Sequence, residues 1–300
     1  MGKLLKLRPV VKSYIWGGEY FQRFGKGDQE VISELWELSC REGNASIVAE
    51  GPYAGLELNK VITNDDVGPV ANRFPYFPLL IKLIDAKRDL SVQVHPSDDY
   101  ALKNENSFGK SEMWHIIDAD EGAGLYVGLK QDSSREEIEK RLNDGTILEA
   151  LNFVRVKPGD TYIINPGTIH AIGAGVRLIE IQQNSDLTYR LFDYNRLDKD
   201  GNPRELHIEK ALKVIDFKKY SIENQKGSIL ANNQYFKARR ESFDGEMEIK
   251  ANGESFVSFT FIEGKGEVNG IKFQQFDTFF LSFGEKCTVK GKGVMVISEV

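Results

Sequence analysis

Pro158-Gly159-Asp160-Thr161-Tyr162-Ile163-Ile164-Asn165-Pro166-Gly167-Thr168-Ile169-His170-Ala171 is the most specific stretch of this 300-residue chain. Pro158-Gly159 reads as a tight turn that launches a short strand, and Pro166-Gly167 as a second turn that stops it. His170 stands three residues beyond that second glycine. The same punctuation recurs on both sides, in Trp16-Gly17-Gly18, in Phe74-Pro75-Tyr76-Phe77-Pro78 and in the apolar runs from Phe256 to Ile262 and Phe276 to Phe283. Short apolar runs broken at such intervals predict a mainly β, antiparallel architecture.

A second segment offers His170 a partner. In Ser91-Val92-Gln93-Val94-His95-Pro96, side chains alternate between faces, so Ser91, Gln93 and His95 share one side and the two valines the other. Lys110-Ser111-Glu112-Met113-Trp114-His115 returns to strand, with Glu112 and Trp114 on one face and Met113 and His115 on the other. Two further strands each carry a charge in an apolar setting, Lys82 within Phe77 to Asp85 and Glu180 within Val176 to Ile181. A buried charge is costly unless it has a partner or faces a cavity. Asn184 to Arg190 follows as a polar loop containing Asp186.

Between Asp132 and Phe153 the period changes: Ser134 and Glu137 form a capping-box pattern, Ile138 and Leu142 fall four apart, and TILEALNF reads as a second short helix. Residues 205 to 217 read as an amphipathic helix burying Leu206, Ala211, Leu212 and Ile215, with His207 capping its start or facing solvent. Ser221 to Asn233 reads as a linker, followed by seven short strand-like runs without a histidine. The domain division expected is therefore 1–225, with a helical insertion at about 132–153, and 226–300.

A hydrophobic content of 41% and a net charge of -6 describe a folded protein with no electrostatic footprint for nucleic acid, although a local basic pocket for a phosphorylated small molecule is allowed. No run reaches membrane-spanning length and the N-terminus lacks an apolar signal core, so a cytoplasmic location is expected. Cys40 and Cys287 lack metal-motif spacing and read as reduced thiols.

The turn-strand-turn-His stretch resembles the second motif of the cupins, jelly-roll proteins with a metal in the barrel mouth. On that resemblance the fold is two cupin-like jelly-roll β-sandwich domains, the first with the helical insertion and the second without metal ligands. Ser91 to Pro96, Lys110 to Trp114, Gly167 to Ala171 and Asn184 to Arg190 together resemble the signatures of type I mannose-6-phosphate isomerase in its short bacterial form. The resemblance implies one Zn2+ per chain held by Gln93, His95, Glu112 and His170, and a small phosphorylated sugar as substrate. It implies a catalytic role for Arg190, a phosphate-binding role for Ser91 and Lys82, and places for Lys110, Glu180 and Asp186 in the same pocket. His115 stands where that family usually has Tyr.

These residue types suit aldose-ketose isomerisation. Its enediol intermediate needs fixed positive charge at two adjacent oxygens and a separate base, for which Glu180 and Lys110 are the candidates. Two imidazoles and a carboxylate also describe a non-haem iron site, so a cupin oxygenase is the alternative, with a non-catalytic sugar-binding cupin as a third reading. Monomer and homodimer remain equally open.

Overall fold

The computed structural model describes residues 2–198, 201–251 and 253–300. It is mainly β, with every strand pair antiparallel. A six-stranded sheet runs in the order Thr161–Ile164, Glu112–Ala119, Val176–Gln183, Leu79–Ala86, Glu34–Leu38, Val10–Lys12. A five-stranded sheet faces it, in the order Leu151–Arg155, Gly124–Leu129, His170–Ile172, Val92–Val94, Tyr189–Phe192. Apolar side chains such as Ile84, Trp114, Leu125, Ile172 and Leu178 form one cluster between them.

The central strands of the six-stranded sheet are buried on both faces, which explains their near-continuous hydrophobicity. Period-two alternation sends Leu79, Ile81, Leu83, Met113, Ile179 and Ile181 outward into a second core with Phe236, Phe256, Phe276 and Phe280. The opposite face carries Lys82, Glu112, Trp114 and Glu180 toward the five-stranded sheet. Registered neighbours place Trp114 beside Glu180 and Glu180 beside Lys82, so three chain-distant residues form one row across the sheet.

The C-terminal region departs from seven short runs. It has six strands, three of them long: Lys237–Lys250, Val257–Val268 and Lys286–Glu299. Glycines lie inside these strands, facing one another as Gly245 and Gly291 or Gly264 and Gly293. A β-carbon on Gly264 would overlap the Lys292 carbonyl, so glycine there marks close backbone approach rather than a chain reversal. The sheet also recruits Leu4–Arg8 and Ile47–Val48 from the N-terminal side, so its eight strands come from both sides of residue 225.

Three smaller expectations are corrected. The second insertion helix covers only Ile147–Ala150, and Leu151 to Phe153 already belong to strand Leu151–Arg155. The expected helix over 205–217 is confined to Ile208–Ala211; Ala211, Leu212 and Ile215 are buried as expected, but Leu206 is exposed. Within the expected linker, Ile229–Asn232 forms the edge strand of the eight-stranded sheet. The helix Arg135–Asn143 does form, with the Glu137 amide donating to Ser134 Oγ at 3.2 Å. The expected capping box is half formed, because the Glu137 carboxylate accepts from Ser133 Oγ rather than from the Ser134 backbone N–H.

Candidate metal centre and pocket

His170 begins its strand directly across the ladder from Gln93, and the facing sheet delivers Glu112. His95, Glu112 and His170 are wholly buried, and one ligand atom from each lies within 4.8 Å of the others. The imidazoles are fixed from behind: His170 Nδ1 donates to the Thr168 carbonyl at 2.8 Å and His95 Nδ1 to the Leu187 carbonyl at 3.0 Å. With those tautomers both Nε2 lone pairs point at Glu112, at 3.3 Å from Oε1 for His170 and 3.5 Å from Oε2 for His95. Three acceptors aimed at one another in a dry interior repel unless a cation or donor stands among them, and Lys110 meets that need only at Glu112 Oε2 and His95 Nε2. Glu112 Oε1 has no hydrogen-bond partner. The donor set therefore fits a divalent metal of the kind that takes imidazole and carboxylate.

Gln93 belongs to the same group, with its amide 3.2 Å from His170 Nε2; turning the amide over would present its oxygen. Lys110 brings an ammonium to the cluster, 2.6 Å from Glu112 Oε2 and 3.2 Å from His95 Nε2. Burial and then Lys110 push His95 down to about 3, and burial lowers His170 as well, so both rings are in the neutral form that can ligate a metal. Burial opposes ionisation of Glu112, but the Lys110 ammonium outweighs it and holds the carboxyl well below its ordinary range.

A cavity of about 290 Å³ opens over this cluster and is lined by Ser91, Gln93, Lys82, Lys110, Glu180, Asp186 and Arg190, among others. All the expected site residues thus lie in one pocket or in the donor cluster beside it, but three have partners that the sequence did not reveal. Lys82 is bound to Glu180 at 3.0 Å and lies 3.9 Å from Glu34, and these carboxylates raise its pKa against the effect of burial. Asp186 is an exposed rim residue paired with Arg41 at 2.7 Å, not with Arg190. Arg190 donates to Ser91 Oγ at 3.3 Å and to the Glu205 carbonyl at 2.7 Å. The ring of His207 also serves Arg190, accepting its backbone N–H at 3.2 Å.

Sequence reasoning missed Glu34, Trp36 and Arg204 as pocket residues. Glu34 and Trp36 share a face of their strand by alternation, which could have signalled them; the chain-distant Arg204 offered no such pattern. His115 turns away from the pocket and bonds Thr161 Oγ1 at 2.8 Å.

The profile described as "Phosphomannose isomerase type I, catalytic domain" matches residues 4–115. Over 314 residues the chain is 37% identical to YvyI of Bacillus subtilis, covering 98% of each. It is 36% identical to the mannose-6-phosphate isomerase ManA of the same organism, covering 88% of this chain and 87% of that one. The chain belongs to the type I phosphomannose isomerase family. Its fold agrees: the crystal structure of the Bacillus subtilis mannose 6-phosphate isomerase superposes with a TM-score of 0.87 over 99% of both chains, at 35% identity. In this type I phosphomannose isomerase chain, Gln93, His95 and Glu112 lie inside the profile match, whereas His170, Glu180 and Arg190 lie beyond it.

Proposed function

We propose that this chain is a zinc-dependent aldose-ketose isomerase interconverting mannose 6-phosphate and fructose 6-phosphate through an enediol. The observation that carries the reading is the convergence of the Gln93, His95, Glu112 and His170 ligand set with Glu180, Lys110 and Arg190 on one cavity. A metal held by those four residues would supply Lewis acidity at the sugar oxygens.

In the open-chain aldose, Glu180 takes the proton from C2 and the electron pair of that bond forms the C1=C2 double bond. The former carbonyl pair at O1 accepts a proton, for which the Lys110 ammonium is the donor. The Lys110 amine so formed takes the O2–H proton, C2=O forms, and the C1=C2 pair takes up at C1 the proton held by Glu180, which returns both groups to their starting states. Lys110 lies 3.8 Å from Glu180, so the carbon-bound and oxygen-bound protons are handled by adjacent groups.

The phosphate belongs at the Ser91 end, where Arg190 and Arg204 add positive charge. Lys82 has two carboxylate partners and acts on Glu180 more directly than on the phosphate. Lys110 reaching into the ligand cluster favours an isomerase over a sugar-binding module, which needs no cation at the reacting oxygens. Comparing mannose 6-phosphate with free mannose in an assay for the ketose product tests the substrate. The expected result is turnover of the phosphorylated sugar alone; equal turnover of free mannose refutes the phosphate assignment.

A further inference from the structure

Trp114 is the largest wholly buried side chain among the described residues, standing behind the cavity lining, and its indole Nε1–H donates to Glu180 Oε2 at 2.8 Å. Register makes this contact direct, because Trp114 and Glu180 are partners on neighbouring strands. Lys82 sits across the other ladder at 3.0 Å and Lys110 at 3.8 Å, and both ammonium groups address Oε1. The carboxylate is thus held from two sides, with a neutral donor on one oxygen and two cations on the other. Without the indole, the group could turn about its terminal bond and give one oxygen to each lysine. The other tryptophan of the row, Trp36, donates instead to Glu34 at 2.6 Å, so Trp114 is the one aimed at the proposed base.

We propose that Trp114 is a positioning residue whose indole N–H fixes the plane of Glu180, so that Oε1 is the oxygen presented to the substrate C–H. The proposal rests on Glu180 being the base. A proton transferred from carbon needs a near-attack alignment, and a misdirected carboxylate slows that step without weakening substrate binding. Trp114 also packs edge-on to His170, with ring centroids 5.4 Å apart, so a test must separate loss of the N–H from loss of the metal ligand's support.

Two zinc-loaded variants make that separation: Trp114→Phe, and full-length protein carrying at position 114 a tryptophan analogue with sulfur in place of the indole N–H. The analogue keeps the ring's shape and remains informative if the phenylalanine variant folds poorly. Both are assayed with mannose 6-phosphate and with its C2-deuterated form, and metal content is measured alongside. The expected result is a kcat about tenfold to a hundredfold lower, the range of one hydrogen bond to a charged group. KM should stay within about twofold, metal content should hold, and the primary isotope effect should increase because proton transfer has become the slower step. An unchanged kcat in the analogue, or a loss that leaves the isotope effect as it was, overturns the proposal. Glu180→Gln keeps the two failures apart: if it retains wild-type turnover, the base assignment itself is wrong.

Discussion

At the scale of single residues, the chemistry was legible wherever a side chain broke the pattern of its strand. Lys82 and Glu180 stood out because each is a charge flanked by apolar residues, and each is buried. What the runs could not show was that the two neutralise each other, since their pairing depends on the register of strands nearly a hundred residues apart. Gln93 and His95 stood out for a similar reason, as polar positions on one face of a strand, whereas Glu112 and His170 stood alone in two other segments. Donor-cluster and pocket residues should separate in their effects. His170→Ala, which removes an imidazole from the donor cluster, is expected to abolish both bound metal and turnover. Arg190→Ala should retain the metal while losing at least about a hundredfold in turnover, as for loss of a charge-stabilising donor. Metal analysis beside the rate assay checks both, and metal loss in the arginine variant would show that its role had been misassigned.

At the scale of elements, local rules succeeded where local interactions decide the outcome. The helix Arg135–Asn143 follows its capping residue, and Ser134→Ala is expected to cost about 1 kcal/mol in chemical denaturation. They failed in the long C-terminal strands, because a glycine at a turn and a glycine where two backbones meet look alike in sequence. Gly122 and Gly264 separate the cases, since both have positive φ but only Gly264 has backbone where a side chain would go. Gly122→Ala should cost about 1–2 kcal/mol for its backbone conformation alone. Gly264→Ala should cost clearly more, because the strands must also part; equal losses would show that the close approach carries no energetic weight.

At the scale of the whole molecule, nothing local in Leu4 to Arg8 tells that the partner of this strand is Thr278–Leu281. The sheet that results packs on the outer face of the catalytic sheet and buries Glu37 between them. Beside that carboxyl, Lys26 and Lys6 bind Asp277 at 2.5 and 2.9 Å. Burial, only partly offset by Lys26, pushes Glu37 up to about 7 from its ordinary 4.5. Its contribution to stability is therefore fully present below about pH 4.5 and is lost as pH rises through 7, by up to about 3 kcal/mol. Glu37→Gln should remove that slope, so the variant's melting temperature relative to the parent's should climb between pH 5 and 8; parallel profiles would contradict the assignment. Everything proposed about the pocket depends on its metal, and one measurement reaches that directly: turnover of mannose 6-phosphate to fructose 6-phosphate as zinc is returned to chelator-stripped protein. The account predicts no turnover without metal and recovery that saturates at one zinc per chain. Undiminished turnover by the stripped protein, or none by the zinc-replete protein, would contradict it.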